Sequence, residues 1–210
     1  MKPQVSLKHY LHSYNTQERF LSYWEQINLI SSHNAQSVLE IGKGNGFFSN
    51  YISKVLGLKC ETVDIDPDLK PDHLLSIFDL PRLGVNQYDA VVAFQVLEHL
   101  SFEDLDNCIK NLVLVSKKNV FISLPHYGWP FELALRVPYF KQICFSCRLP
   151  KPPKKWRLEI EGFGQHFWEI GVEGCSLKRV RKILSKHAKI TKEFPNPLWT
   201  WHRFFVLEKL

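Results

Sequence analysis

The 210-residue sequence has no apolar run long enough to cross a membrane, and its first residues lack the apolar core of a signal peptide. Met1 to Ser13 contains Lys2, Lys8 and His9 instead. The sequence also has no internal repeat and no low-complexity segment. These absences exclude a membrane-spanning protein and a repeat array, and they predict a cytoplasmic location.

Cysteine is too sparse for a disulfide framework. There are five cysteines, an odd number, and no secretory signal accompanies them, which favours reduced thiols. Cys144 and Cys147 have the spacing of metal ligands, and Cys175 or His166 could complete a zinc site. Because no second Cys-x-x-Cys motif accompanies them, we predict no metal site and interpret the pair as thiols packed among aromatic residues.

Length and composition bound the domain count and the type of partner. A chain of this size with 45% hydrophobic residues can bury one sizeable core, which predicts a single domain. The net charge of +6 is consistent with an anionic substrate or surface. Two late clusters hold much of the positive charge: Lys151, Lys154, Lys155 and Arg157, then Lys178, Arg179, Arg181, Lys182 and Lys186. A phosphate-binding face and a solvated helix face both explain the second cluster.

The most informative motif is an apolar strand that runs into three glycines at alternate positions. Residues 37–41 are followed by Gly42, Gly44 and Gly46, and an apolar pattern of helical spacing begins at Phe47. Glycine tolerates positive φ and allows a ligand to approach the backbone, so this pattern predicts a ligand-facing turn. The dinucleotide fingerprint needs glycine where Phe47 stands, and Glu40 has the wrong charge beside a pyrophosphate.

Three further landmarks follow in order: Val63-Asp64-Ile65-Asp66-Pro67, Asp79-Leu80-Pro81, and the run from Tyr88 to Leu100. Together with the glycine turn they resemble class I S-adenosylmethionine-dependent methyltransferases of the broad small-molecule branch, over roughly residues 37 to 125. The resemblance implies an α/β fold with a doubly wound, mostly parallel seven-stranded sheet, the Rossmann-like methyltransferase fold, and a lid insertion after the fifth strand. It also implies S-adenosyl-L-methionine as cofactor.

The predicted layout is one methyltransferase domain over residues 1–210. Its parts are an N-terminal helical cap (1–34), a cofactor-binding core (35–125), a proline- and aromatic-rich lid (126–172), and a C-terminal helix with a strand hairpin (173–210). Strands are predicted at 37–41, 60–65, 73–77, 88–95, 119–124, 188–194 and 202–208. Asn15 with Glu18 predicts a capping box for a first helix ending near Ile30, and Ser101 predicts the cap of a later one.

The resemblance assigns cofactor-binding roles to the landmarks. Glu40 would attract the cofactor ammonium, and the glycines at 42, 44 and 46 would let the methionyl part lie against backbone. Asp64 would accept both ribose hydroxyls, with Asp66 as a competitor, and Ile65 would contact the adenine. Asp79 would accept from the adenine amino group and Leu80 would donate its N–H. Gln95 would lie beneath the transferred methyl group.

A general base is needed only if the acceptor begins protonated, and His126, His166, Glu169 and His99 are the candidates. His126 directly follows the fifth predicted strand, whereas His166 and Glu169 lie in a dense polar and aromatic cluster of the lid. We favour His166, although a histidine that ties the lid to the sheet explains it equally well. His99 is common in the resembled superfamily, so we interpret it as structural or cofactor-adjacent.

Missing motifs narrow the acceptor. No Asp/Asn-Pro-Pro-aromatic signature and no Pro-Cys nucleophile follow the fourth predicted strand, which disfavours nucleic-acid base methylation of those types. The favoured hypothesis is methyl transfer to oxygen or nitrogen of a small or lipid-linked, anionic acceptor. An RNA or protein methyltransferase that uses the basic C-terminal surface, and a cofactor-binding module without turnover, are the alternatives; nucleic acid is not the favoured partner.

Overall fold

The computed structural model describes residues 14–139, 142–152 and 166–210, and it contains a central sheet and a separate hairpin. The sheet strands are β1 (Ser37–Ile41), β2 (Lys59–Asp64), β3 (His73–Leu74), β4 (Tyr88–Phe94), β5 (Ser116–Pro125), β8 (Ala188–Asn196) and β9 (Trp199–Lys209). Their order is β3-β2-β1-β4-β5-β9-β8, and β9 alone runs opposite to the other six strands. This topology confirms the predicted doubly wound, mostly parallel seven-stranded sheet.

The helices are α1 (Gln17–Ser31), α2 (Phe47–Asn50), α3 (Leu105–Val115) and α4 (Leu177–Leu184). The α2 helix continues into a wider π-helical turn, Tyr51–Val55. Short 3₁₀ turns occupy Pro67–Leu69, Ile77–Leu83, Leu97–His99 and Phe102–Asp104. None of the helices among the described residues has the length and apolarity needed to cross a bilayer.

The core lies on both faces of the sheet, which explains why its central strands are nearly continuous apolar runs. On one face, Leu105, Ile109 and Leu112 of α3 are fully or almost fully buried, as their helical spacing predicts. On the other face, Ile30 of α1 and Phe48 of α2 pack in a second cluster. The sheet is therefore held from both sides, and the carboxyl ends of its parallel strands remain at one edge.

Two predicted helix caps are wrong. The N-cap of α1 is Thr16, whose side chain accepts a hydrogen bond from the Arg19 N–H, whereas the Asn15 side chain accepts one from Asn45. Ser101 lies at the start of a 3₁₀ turn but makes no capping hydrogen bond with its side chain. Local geometry therefore decides which residue caps each helix, and the sequence pattern does not specify that geometry.

The segment predicted as an irregular lid contains a β-hairpin that the sequence analysis did not predict. Strands β6 (Trp129–Leu135) and β7 (Ile143–Leu149) pair antiparallel, with Leu133 opposite Phe145. Because side chains alternate along a strand, Cys144 and Cys147 lie on opposite faces of β7 and cannot share one metal ion. Residues 140–141 and 153–165 of the predicted lid lie outside the described residues, so its full extent and the proposed division of the chain stay predictions.

Candidate active site

The glycine turn after β1 has the backbone geometry that its sequence predicts. Gly42, Gly44 and Gly46 have φ of 80°, 53° and 71°, a region that side chains with a Cβ rarely adopt. The Gly42 N–H donates to the Val63 carbonyl at 2.8 Å, which ties the turn to the end of β2. A Cβ on Gly42 would lie 2.5 Å from Cγ2 of Val96, so steric space as well as φ requires glycine there.

Asp64 ends β2 beside this turn. Its Oδ2 accepts a hydrogen bond from the Lys43 N–H at 2.8 Å, and its Oδ1 accepts one from the Asp66 N–H at 3.0 Å. The Asp66 carboxylate is buried and caps the next turn by accepting from the Asp68 N–H at 3.0 Å. The Asp64 carboxylate is therefore bonded to the glycine turn, whereas the Asp66 carboxylate is bonded within its own loop. Ile65, between them in sequence, is half-buried.

Glu40 is a buried acid on β1 with an unsatisfied oxygen. Among the described residues, its Oε2 has no hydrogen-bond partner. Burial raises the pKa of the Glu40 carboxyl to about 8, although a hydrogen bond from Ser49 opposes the rise. A buried carboxylate of this kind is stabilised by a cationic partner.

The predicted adenine-binding residues lie in the Ile77–Leu83 turn. The Asp79 carboxylate is partly exposed and pairs with Arg82 at 3.2 Å. The Leu80 side chain is fully buried in the core, so only its backbone can meet a ligand. These positions remain predictions.

Gln95 follows β4 and has a strained backbone, with φ of 57°. With its amide oriented so that NH₂ meets acceptors, it donates to Glu98 Oε1 at 3.1 Å and to His202 Nε2 at 3.2 Å. Its oxygen then accepts from the Ser123 hydroxyl at 3.1 Å and from the Leu124 N–H at 3.3 Å. Non-glycine residues in this region persist where their surroundings hold them, and they concentrate at functional sites.

Beyond Gln95 lies a cluster of buried Glu98 with half-buried His99 and His166. One potential ligand atom from each of the three lies within 4.8 Å of the others. Glu98 has no solvent exposure, and its Oε2 lacks a hydrogen-bond partner among the described residues. Burial raises the pKa of the Glu98 carboxyl to about 7, and the nearby His166 opposes this rise.

Glu169 and Trp201 hold His166 in place. The Glu169 carboxylate is buried, and its Oε1 lies 3.1 Å from His166 Nδ1. Its second oxygen accepts a hydrogen bond from the Trp201 indole N–H at 3.3 Å, and the Trp201 and His166 rings stack with centroids 5.8 Å apart. The structure thus brings together His166 and Glu169, two of the four candidates for the general base.

Backbone contacts fix the segment that carries this pair. The Phe167 N–H donates to the Glu98 carbonyl at 2.7 Å, and the Ile170 N–H donates to the Pro125 carbonyl at 2.9 Å. The Trp168 side chain is almost completely buried and meets Phe102 edge to face. Sheet and core together set the position of His166, which agrees with its alternative interpretation as a tie between lid and sheet.

His126 has a different environment. Its Nδ1 accepts a hydrogen bond from Arg203 Nε at 3.1 Å, and Arg203 in turn pairs with Glu193. Burial and the charges of Arg203 and Arg148 lower the pKa of His126 to about 4. His126 is therefore neutral at physiological pH, with one nitrogen committed to a guanidinium, and this arrangement favours a supporting role.

The α1 helix contacts the glycine turn, and Tyr14 precedes it in the chain. Tyr23 stacks on Phe47 with ring centroids 4.4 Å apart, and its hydroxyl donates to Asn45 Oδ1 in the glycine turn at 3.1 Å. The pKa of Tyr14 is raised by burial; Arg19, 4.2 Å above the ring, opposes this, and the charges of Glu98 and Glu40 add to it. The carboxyl groups of Glu40 and Glu98 therefore both lie close enough to Tyr14 for their charges to raise its pKa.

Sequence reasoning missed Glu98, Tyr14, Trp201 and His202 as site residues. For Glu98 a signal existed, because a charged residue directly after an apolar strand in Val96-Leu97-Glu98-His99 is unusual in a segment that returns to the core. Trp201 and His202 lie on β9, far away in sequence, and only the antiparallel insertion of β9 beside β5 brings them to this edge. No local pattern reports such a pairing.

Comparisons with known proteins agree with this fold. A family model described as a methyltransferase domain matches residues 39–124, and no curated protein sequence matches the chain. Among solved structures, DesVI of Streptomyces venezuelae is similar with a TM-score of 0.60 and 14% identity, over 92% of this chain and 93% of that one.

Two further structures are similar in fold. Magnesium protoporphyrin IX methyltransferase from Synechocystis PCC 6803, crystallised with bound S-adenosylmethionine, has a TM-score of 0.55 and 14% identity, covering 100% of this chain and 87% of that one. The glycopeptide N-methyltransferase MtfA, complexed with S-adenosyl-L-homocysteine, has a TM-score of 0.56 and 12% identity, covering 90% and 89%. Residues 39–124 therefore match a methyltransferase domain, and the whole chain is similar in fold to S-adenosylmethionine-dependent methyltransferases.

Proposed function

We propose that this enzyme transfers a methyl group from S-adenosylmethionine to an oxygen or nitrogen of a small or lipid-linked, anionic acceptor. The observation that carries the proposal is the adjacency of two unlike sites at one edge of the sheet. The glycine turn with Glu40 suits the cofactor, and the buried cluster around Glu98 suits an acceptor's polar group. Val96, two residues before Glu98, lies against Gly42 of the turn, and the charges of Glu40 and Glu98 both raise the pKa of Tyr14.

The residues present fit the cofactor. Glu40 has a buried oxygen without a partner among the described residues, and the cofactor ammonium would supply one. Asp64 is oriented by the Lys43 N–H beside the turn and retains lone pairs for the ribose hydroxyls. Ile65, Asp79 and Leu80 keep their proposed roles around the adenine.

When bound, the cofactor supplies a methyl group activated by a positively charged sulfur. The chain's own task is then to align the acceptor and to exclude water. Gln95, held by hydrogen bonds to Ser123 and His202, forms a rigid floor between the two halves of the site. His166, Glu169 and Glu98 form the polar wall that receives the acceptor's nucleophilic atom.

The β6–β7 hairpin supports a lipid-linked acceptor. One face of it carries apolar side chains in both strands, and they are exposed: Trp129, Phe131, Leu133, Leu135, Ile143, Phe145 and Leu149. The other face is anchored to β9, where Glu132 and Arg148 hydrogen-bond Thr200. Lys151 lies 4.3 Å above the Trp129 ring, so positive charge borders the apolar face, as anionic lipid headgroups require.

The basic α4 helix gives less support to a nucleic-acid partner. Arg181 forms a bidentate pair with Glu193, and Lys186 pairs with Asp106 at 3.1 Å. Arg179 donates to the Gly174 carbonyl. Three of the five cations of that predicted cluster therefore serve contacts within the chain, which favours the solvated-face interpretation.

The test is methyl transfer from labelled S-adenosylmethionine to separated acceptor pools: anionic lipid extract, water-soluble acids, and total RNA. We expect label in the lipid pool, and we expect the Leu133→Gln/Phe145→Gln double variant to lose it. The Lys178→Gln/Lys182→Gln double variant, on α4, is the matched control and should retain it. Label confined to RNA, lost in the α4 variant, would support the rival function instead.

A further inference from the structure

The cluster beside Gln95 combines donor atoms that suit a metal ion as well as an acceptor. Glu98 offers a carboxylate oxygen, and His99 and His166 offer imidazole nitrogens, all within 4.8 Å of one another. Two imidazoles with one carboxylate are typical ligands of first-row divalent cations. Ligands held about 2.1 Å from a cation lie about 3–4 Å from each other, so small side-chain rotations would close the set.

A second observation points to a ligand at the same place. Glu98 is fully buried, yet its Oε2 has no hydrogen-bond partner in the described parts of the chain. The Gln95 amide engages the other oxygen at 3.1 Å and so orients the carboxylate. A buried carboxylate oxygen without a partner costs free energy, and a cation bound to it would remove that cost.

Charge within the cluster supports a dication. Glu98 and Glu169 are both buried, and each lies close to His166. A doubly charged ion between Glu98, His99 and His166 would balance both, and paired charges are the form in which buried carboxylates are stable.

The contacts behind His166 match those of metal-bound histidines. Glu169 Oε1 lies 3.1 Å from Nδ1, and Trp201 holds the other Glu169 oxygen. A carboxylate on Nδ1 fixes the ring's tautomer and orients Nε2 as the ligand atom. Metal-ligating histidines usually have such a carboxylate or carbonyl behind them.

We infer that Glu98, His99 and His166 bind a first-row divalent cation, with Glu169 as the positioning residue of His166. The inference deepens the proposed function, because the cation would lie where the acceptor's hydroxyl arrives. It would favour the deprotonated hydroxyl, whose proton leaves to solvent water. The oxygen–methyl bond then forms as the carbon–sulfur bond breaks, and sulfur keeps the electron pair. In this proposal His166 acts as a ligand, whereas the sequence analysis favoured it as the general base.

The test is calorimetric titration of the chelator-treated full chain with MnCl₂ and, separately, ZnCl₂, with neither cofactor nor acceptor present. We expect one ion per chain, and at least about tenfold weaker binding in His166→Gln and in Glu98→Gln. His187→Gln is the control and should bind as the wild type does. This histidine lies between α4 and β8, where it pairs with Asp106. Substitution with Co²⁺ should give a visible absorption band that His99→Gln alters.

The outcomes separate this inference from the proposed function. No stoichiometric binding by the folded wild type, or binding that all three cluster variants retain, overturns the cation site. S-adenosylmethionine is titrated in parallel: cofactor binding without cation binding rejects only the cation site, and cation binding without cofactor binding rejects the proposed function. If Glu98→Gln fails to fold by thermal melting, His99→Gln and His166→Gln decide the question.

Discussion

The Asp64 carboxylate accepts a hydrogen bond from the Lys43 N–H at 2.8 Å, which joins the end of β2 to the glycine turn. The same carboxylate is the one that the resemblance assigns to the ribose hydroxyls. The contact therefore orients the ligand-binding group from the turn that receives the rest of the cofactor. It also gives Asp64 a role that Asp66, which caps its own loop, does not have.

Asp64→Asn should weaken binding of S-adenosylmethionine by about 1–3 kcal/mol, because an amide accepts fewer hydrogen bonds from the ribose diol. Asp66→Asn is the matched control and should change the thermal midpoint more than the cofactor Kd. Both are measured by calorimetry on protein that melts cooperatively. An Asp64 variant that binds the cofactor with wild-type affinity would return the ribose role to Asp66.

The raised pKa of Glu40 predicts that the stability of the cofactor-free protein depends on pH. Its pKa is raised from 4.5 to about 8, so the folded state binds this proton more tightly than the unfolded state. The resulting stability is complete below the ordinary pKa and is lost as pH rises through about 8. Glu40→Gln should therefore lose less stability than the wild type over that interval in denaturant titrations. Parallel stability curves for the two proteins would contradict the assignment.

The sequence predicted the conformation of the glycine turn more completely than that of the cluster around Glu98. The limits of β1 and the positive φ of Gly42, Gly44 and Gly46 follow from local chemistry, since an apolar run and alternate glycines have few structural solutions. Local preferences hold there because one short segment supplies both strand and turn.

The cluster around Glu98 depends on contacts between residues that are distant in sequence. The burial of Glu98 depends on Phe167, whose N–H meets its carbonyl, and the orientation of His166 depends on Trp201 of β9. The β6–β7 hairpin was missed because its apolar residues face solvent, so core formation does not mark them, and because Pro130 and Pro138 suggested irregular structure.

His166→Gln should lower kcat by about 10–100-fold and leave the cofactor Kd nearly unchanged. The reason is that the imidazole belongs to the cluster with Glu98 and His99, whereas the proposed cofactor site is the glycine turn. Glu169→Gln should lower kcat in the same direction by disturbing the orientation of His166. Turnover is followed with labelled cofactor at saturating acceptor. Loss of cofactor binding with unchanged turnover would make His166 a packing residue.

The His126→Gln variant distinguishes a structural role of His126 from a catalytic one. The imidazole accepts from Arg203 Nε, so its replacement should reduce the free energy of unfolding by about 1–3 kcal/mol. The kcat of the remaining folded protein should fall far less than in His166→Gln. A comparable fall in kcat without loss of stability would instead restore His126 as the base.

The most direct test of the account is calorimetric titration of the purified, cofactor-free chain with S-adenosylmethionine and with its demethylated product, using NAD as the control. The account predicts saturable binding of the first two at one site per chain and no binding of NAD. Absence of binding by both sulfur compounds, in protein that is folded and free of cofactor, would contradict the central claim.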